Sequence, residues 1–484
     1  MLAQQIKRLA SQSVIYGLGS VVSRILSVLL LPLYTSYLHG RDYGRVETLT
    51  ALTAILVALL RLGISNAFFR FYFDAPEDEE HTVLVVRTSF WFTMAMATAG
   101  LAAGIVAAPA IAEGLSLGHG QTWLVRAAFV GLWAQLNYEQ LTSLFRVEQR
   151  PTLYTAATIA NLLVTIGATL VLVAGLHQRA MGVVVGNWIG TLTVYLVLLG
   201  YRRYQLGLQF NRKLLRDMNR FGMPLVPSQV AIWTLNFSDR FFIAKFKGQT
   251  EVGHYSVGVR IASATLLLLV AFRTAWPAFA YSIEDDREAR RTYGFVLTYL
   301  LFVMCWAAVA LALLAPWIVR LLTGRPEFYA GARVVPLLAF TSAAWAAFTV
   351  VSIGIGRVRR TQFNWVVTGA AALLNAGLNL LLVPRYGMIG AAVSALCAVT
   401  SMFALMTVHA QRIYPVPYQW RRIGLVVGAA GALTAVGKAL HVPLPAAVLL
   451  ALAYPVILLP LGFYLPAELR RLRAAGRRLV APAR

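Results

Sequence analysis

Stretches of some 20 mostly apolar residues recur along this chain from residue 13 to residue 465, with only short polar breaks between them. A helix needs about 20 apolar residues to cross a hydrocarbon core of about 30 Å, and in lipid every backbone N–H and C=O must be bonded internally. No alternation of apolar and polar residues repeats at the length of a barrel strand, so spanning strands are excluded. The expected fold class is an all-α integral membrane protein of about fourteen transmembrane helices. They are read at 13–38, 47–71, 88–113, 121–145, 152–175, 179–200, 221–246, 252–280, 292–322, 330–354, 362–383, 387–410, 422–440 and 444–465. Of 484 residues 59% are hydrophobic and 13% charged, which is far from a soluble domain, and the breaks leave no room for one. The first apolar run lacks a small-x-small exit site and leads into further spans, so no cleaved signal is expected.

Charge placement narrows the partners. The net charge is +24, but the basic residues do not form a nucleic-acid face. With Lys7 and Arg8 on the cytoplasmic side and alternation through the spans, most Lys and Arg fall in cytoplasmic segments, among them Arg202, Arg203, Arg212, Lys213, Arg216 and Arg220 in one loop. That asymmetry follows the positive-inside rule and puts both termini in the cytoplasm, where the basic face meets anionic lipid headgroups. The tail AELRRLRAAGRRL (467–479) suits either a basic amphipathic helix on that surface or a solvated segment.

The chain also repeats itself. GRDYGRVETL (40–49) resembles GQTEVGHYSVGVRI (248–261), pairing Gly44 with Gly253, and MGVVVGNWIG (181–190) resembles MIGAAVSALC (388–397) at nearly the same offset. The expected organisation is an N-terminal six-helix lobe (1–200), a basic cytoplasmic linker (201–220), a C-terminal six-helix lobe (221–411), an extra helix pair (412–465) and a basic cytoplasmic tail (466–484). An even number of spans makes the repeat parallel, an architecture of transporters that rock two halves about a site at the midplane.

Ionisable residues inside a membrane mark function by default. The arginines within spans are Arg24, Arg61, Arg70, Arg126, Arg240, Arg260 and Arg273, and the clearly intramembrane acids are Glu139 and Asp239. At 1.5 Å per residue, Arg24, Arg61 and Arg273 fall in one layer toward the cytoplasmic end, with Glu139 placed to neutralise part of it. Asp239 and Arg260 are level across a short hairpin, so Asp239 is expected to hold Arg260 or Arg240 and leave the other facing a cavity; an inert pair that fixes helix register is the alternative. Arg70, near Asp74, reads as interfacial.

An arginine-rich layer predicts an anionic substrate, because guanidinium captures phosphate oxygens bidentately and keeps its charge. Asn236, with Tyr16, Asn66, Gln135, Asn137, Tyr138, Gln229, Trp233 and Tyr255, is available for sugar hydroxyls and faces. A desolvated carboxyl can titrate near neutrality, so Asp239 and Glu139 are candidates for charge pairing or for carrying a coupling proton. No metal site or cofactor is expected beyond a coupling proton or sodium ion. Cys305 and Cys397 lie in apolar runs, the seven His stand singly, and GLGS (17–20) carries only half a dinucleotide fingerprint inside a span.

NFSDRFFIAKFKGQTEVGHYSVGVRIAS (236–263), preceded by GMPLVPS (222–228), resembles the Wzx-like oligosaccharide-lipid flippases of the polysaccharide transport family, within the multidrug/oligosaccharidyl-lipid/polysaccharide flippase superfamily. YGLGSVVSRILSVLLLPLYTSYLHGRDYGRVETL (16–49) and NAGLNLLLVPRYGMIGAAVSAL (375–396) are similar to it as well, and the likeness covers most of residues 10–410. The resemblance implies a V-shaped pair of six-helix lobes in the cytoplasmic (inner) membrane. It also implies translocation of a polyprenyl-pyrophosphate-linked glycan to the outer leaflet, with polysaccharide assembly proteins as partners. Cavity arginines engage phosphate in such relatives, and Arg24, Arg61 and Arg273 match by span and depth, not by motif.

Neighbouring readings are a lipid II flippase, which the arginine layer suits equally, and a cation-coupled multidrug exporter, which would favour cavity acids. A membrane glycosyltransferase or polymerase needs an acid or base on a sizeable outer loop, whereas 114–120, 176–178 and 441–443 are short. The chain is therefore read as no enzyme, and an envelope-complex scaffold would have little use for a repeat with buried charges.

Overall fold

Among the described residues the apolar runs close their own backbone hydrogen bonds as helix. A computed structural model describes residues 30–74, 78–203, 206–358, 361–466 and 470, with no strand among the described residues. In chain order the helices are α1 (Leu31–Tyr37), α2 (Gly40–Arg61), α3 (Ile64–Tyr72), α4 (Glu79–Gly114), α5 (Thr122–Val147), α6 (Pro151–Leu170), α7 (Arg179–Arg202), α8 (Arg212–Gly222) and α9 (Val226–Phe237). They continue with α10 (Asp239–Lys247), α11 (Gln249–Ala262), α12 (Ala264–Ser282), α13 (Asp286–Leu322), α14 (Val335–Arg357), α15 (Asn364–Ile413), α16 (Trp420–Ala439) and α17 (Leu444–Ile457). Among the described residues nine are long and apolar enough to cross a membrane, and the protein is multi-pass. Of the first expected span, 13–38, only the end at α1 lies within the described residues, and most of the tail at 467–479 lies outside them.

Some expected spans are single runs of sequence but broken helices. Leu62 and Gly63 adopt left-handed backbone (φ 47° and 75°) and separate α2 from α3. A Cβ at Gly63 would lie 2.1 Å from the carbonyl oxygen of Gly222, so this break is a close approach of two backbones that only glycine permits. α9 and α10 part at Ser238, whose Oγ donates to Thr234 O at 2.7 Å, a back-bond that bends helices. α15 is two spans joined at Gly387 (φ 56°, ψ −133°) just after Pro384. The second of them begins with Met388 N donating to Glu251 Oε1 at 2.7 Å, so a carboxylate faces a helix N-terminus. α8 lies within the basic stretch 201–220 and its end: Leu214, Met218 and Gly222 are buried one turn apart, while Arg212, Lys213, Arg216 and Arg220 are exposed, the pattern of a helix lying in an interface.

The contacts divide the chain into two compact units. The first comprises the described parts of Met1–Arg260, Val319–Gly331 and Gln362–Ala398; the second comprises Ile261–Ile318, Ala332–Thr361 and the described parts of Val399–Arg484. In the second unit the last two helices pack on α13. Trp306 Nε1 donates to Ala451 O at 2.7 Å, Phe302 stacks on Phe463 with ring centres 5.4 Å apart, and the Leu313 side chain fills the space left by Gly437. In the same unit Arg357 joins Asp286 at 2.7 Å and donates to Ile283 O, closing one end of α12, α13 and α14.

In the first unit the internal repeat meets itself. A Cβ at Gly44 would lie 1.7 Å from the carbonyl oxygen of Gln249, and one at Gly253 would lie 2.2 Å from that of Gly40. Gly44 is the repeat partner of Gly253, and Gly40 of Gln249, so the contact is reciprocal, as a self-complementary two-fold contact must be. Small residues let helix backbones approach in a membrane. Gln249 fastens the crossing by accepting from Thr48 Oγ1 at 2.8 Å and donating to Leu115 O at 2.7 Å. Gly44→Ala and Gly253→Ala force α2 and α11 apart and are each expected to cost about 1–3 kcal/mol, read as a lowered thermal midpoint in detergent. Gly428→Ala, with nothing within 4 Å of its Cβ position, leaves the midpoint unchanged; equal effects from all three would show that the crossing is not tight.

Candidate functional site

The centre of charge in the first unit is Glu47 on α2, 7% exposed. Its Oε1 accepts from Arg260 Nη2 on α11 at 2.8 Å, and its Oε2 lies 3.6 Å from Arg240 Nε on α10. Arg260 also sits against the faces of Tyr34 and Tyr43, at 5.7 and 5.6 Å from their ring centres. Arg240 donates to Asn236 O at 3.0 Å and lies over Phe237. Two guanidinium groups thus share one carboxylate and three aromatic faces, which spreads the cost of taking them out of water.

This arrangement corrects the expected pairing of Asp239. Asp239 is 2% exposed, yet Arg260 is paired with Glu47 instead. Asp239 accepts from Tyr255 Oη at 2.6 Å and from Asn379 Nδ2 at 2.8 Å. Asn379 also donates to Asn375 Oδ1 at 3.1 Å, and Ser238 Oγ donates to the same oxygen at 3.2 Å. Adjacent residues on a helix point about 100° apart, so Asp239 and Arg240 serve different neighbours. Neither Arg240 nor Arg260 is left over by a pairing with Asp239. Tyr255, buried and bonded to Asp239, is a supporting residue here rather than a sugar contact.

Glu139 on α5 stands against Arg61 at the end of α2, Nη2 to Oε2 2.7 Å. Gln135 Nε2 donates to the other oxygen of Glu139 at 2.9 Å. Arg61 lines a cavity of about 410 Å³ together with Gly63, Asn66, Gln229, Trp233 and Asn236. Gly63, in the break between α2 and α3, forms part of the same wall. Trp233 Nε1 is held by Ala51 O at 2.9 Å and Asn236 Nδ2 by Ile232 O at 2.7 Å. The cavity therefore offers one charged donor, several amides and an indole face, a set suited to an anion that carries hydroxyl groups.

The described lining of this cavity does not include the other predicted residues. Arg24 and Tyr16 lie outside the described residues. Arg273 is exposed on α12, in the second unit. Asn137 is buried and donates to Trp133 O at 2.8 Å, a packing role. Arg70 lies 4.8 Å from the Phe221 ring centre and Arg126 the same distance from that of Trp123.

Sequence reasoning missed Glu47 because it stands at the edge of an apolar run, where acids are ordinarily solvated. The helix begins seven residues earlier, at Gly40, so Glu47 is two turns inside it. Asn375 and Asn379 carried a usable signal, since two amides one turn apart in an apolar run must bond to something. Glu47→Gln removes the carboxylate that Arg240 and Arg260 share and is expected to cost about 3–5 kcal/mol of stability. Combined with Arg260→Gln, part of that loss should return. Additive losses in a double-mutant cycle of thermal or denaturant unfolding would show that Glu47 and Arg260 are not coupled.

Over residues 37–326, well over half of the chain, the sequence matches the family described as polysaccharide biosynthesis protein. An uncharacterized membrane protein of Methanocaldococcus jannaschii is 25% identical over 191 residues, which are 38% of this chain and 37% of that relative, so the match spans little more than a third of the relative's length. Among solved structures, the lipid II flippase MurJ in its inward closed conformation superimposes with a TM-score of 0.74 over 92% of this chain and 98% of its own, at 13% identity. A multidrug resistance MATE family transporter of the MOP superfamily, inward-facing, does so with a TM-score of 0.68 over 81% of this chain and 94% of its own, at 14% identity. At these identities the likeness is one of fold. Both Glu47 and the Arg61 cavity fall within the matched stretch, and the chain is a multi-pass membrane protein that belongs to the polysaccharide biosynthesis protein family.

Proposed function

We propose that this protein is a flippase that carries a polyprenyl-pyrophosphate-linked oligosaccharide, the repeat unit of a cell-surface polysaccharide, from the inner to the outer leaflet by alternating access. The observation that carries the reading is Arg61, placed in a membrane-spanning helix on the wall of a cavity with Asn66, Gln229, Trp233 and Asn236. A permanently charged, bidentate donor in such a place suits a pyrophosphate, and the amides and indole suit the sugar beyond it. Arg24 and Arg273 are carried as further candidate phosphate ligands on the depth argument from sequence alone. Arg240 and Arg260 join it when Glu47 yields them, which makes that carboxylate a competitor of the substrate. Membership in a polysaccharide biosynthesis family supports the glycan part of the reading.

In this reading residues 1–200 and 221–411 are the two moving lobes, the chain lies in the cytoplasmic membrane with both termini inside, and it transports rather than catalyses. Glu139 and Asp239 are the carboxylates through which a proton or sodium gradient could act. A lipid II flippase is the second reading, favoured by the fold it shares with MurJ over 92% of the chain; it uses the same arginines and differs in the glycan.

The test is translocation of fluorescent undecaprenyl-pyrophosphate oligosaccharide in proteoliposomes, beside lipid II. Arg24→Ala, Arg61→Ala and Arg273→Ala should each lower the rate about tenfold or more, the worth of one charged hydrogen bond at 1.5–3 kcal/mol. Transport of lipid II alone would move the assignment to the second reading. Export of small cations with no lipid moved would replace both with a multidrug exporter.

A further inference from the structure

A second cavity, of about 240 Å³, lies within the first unit between α2, α5, α6 and α7, and its wall includes Gln135, Tyr138, Glu139, Asn161, Asn187 and Trp188. We infer that it is a subsite for one sugar ring, the ring joined directly to the pyrophosphate; this rests on the flippase reading above and deepens it.

Three features carry the inference. The first is the chemistry of the wall. A sugar hydroxyl both donates and accepts, so it is best met by groups that do both or that come as amide and carboxylate together. Two asparagines, a glutamine and a glutamate supply that, while Tyr138 and Trp188 supply aromatic surface for the C–H face of a ring. Trp188 Nε1 is buried with no hydrogen-bond partner among the described residues, an omission that costs free energy unless a ligand or water answers it. Asn161 Oδ1 accepts from Thr165 Oγ1 at 3.2 Å and Thr191 Oγ1 at 3.4 Å, and the same side chain hydrogen-bonds the Tyr138 hydroxyl, so both polar groups of the wall are held in place.

The second feature is size. Pockets for drug-sized ligands run from about 300 to 1,000 Å³, and 240 Å³ suits a single ring. The third is position. Arg61 lines the first cavity and Glu139 the second, and the two are joined by the 2.7 Å ion pair. A pyrophosphate held by Arg61 therefore has its attached sugar beside the second cavity.

A metal cation is the poorer occupant, since hard cations collect several oxygen ligands and the one carboxylate here already serves Arg61 and Gln135. An apolar drug is poorer still, because Thr50, Gln135 and Asn187 are the exposed residues of the wall.

The experiment measures binding of the full chain in nanodiscs to undecaprenyl pyrophosphate, with and without one attached N-acetylhexosamine. The native protein should bind the glycosylated lipid about tenfold more tightly, a difference of about 1.4 kcal/mol. Asn187→Ala, whose side chain holds nothing else among the described residues, and Trp188→Phe, which keeps the ring face, should erase that advantage and leave the bare lipid's affinity unchanged. Arg61→Gln should weaken both lipids together. Equal binding of the two lipids by the native protein, or variants that keep the full sugar advantage, would overturn the subsite while the flippase reading stands. Failure to bind either lipid would remove the reading on which it rests.

Discussion

A charge in the hydrocarbon layer costs several kcal/mol unless something answers it, and the first unit is organised around how few answers it has. Glu47 serves Arg240 and Arg260 at once, at 3.6 and 2.8 Å. Because α2, α10 and α11 each contribute one member of that triad, the carboxylate ties three helices together through groups that cannot be exchanged singly. Glu139 does the same for α2 and α5 through Arg61. Asp239 takes the other route, in which neutral donors, Tyr255 and Asn379, answer the carboxylate. Two carboxylates hold cations and a third holds a polar network, so the interior is less cationic than a count of arginines suggests.

The same helices meet at the glycine crossing. Gly44 and Glu47 are neighbours on α2, one turn apart, and Gly253 and Arg260 lie two turns apart on α11. The backbone contact at Gly44 and Gly253 brings α2 and α11 close enough for Glu47 to reach Arg260, and the ion pair in turn opposes their separation. The aromatic faces of Tyr34 and Tyr43 around Arg260 compensate part of its charge beside Glu47.

Much of this was legible in the chain. The apolar runs located the helices, since 20 apolar residues in lipid have few alternatives to helix, but not all of their ends: α2 begins at Gly40 rather than 47 and α4 at Glu79 rather than 88. The repeat that pairs Gly44 with Gly253 led to two residues that touch. Asn66, Gln229, Trp233 and Asn236 were singled out as polar or aromatic residues within spans, and they meet around Arg61. What was not legible were partners: Asp239 was assigned to Arg260 or Arg240 from depth and adjacency, and depth does not specify which face of a helix a residue occupies. Glu47 was passed over because the start of α2 could not be placed, and Asn375 and Asn379 because amides in a membrane helix are so often packing residues.

By itself the sequence determined that this protein is an all-helical membrane protein with an internal repeat and buried positive charge, because hydropathy, charge asymmetry and self-similarity are properties of order along the chain. Only the tertiary structure decided which acid answers which arginine, where the spans break, and that Arg61 and Glu139 stand between two cavities. Those depend on helix rotation and crossing, set by contacts such as Gly44 with Gln249 and Gly63 with Gly222 between segments far apart in the chain. A one-dimensional pattern carries each helix's depth but not the direction it faces.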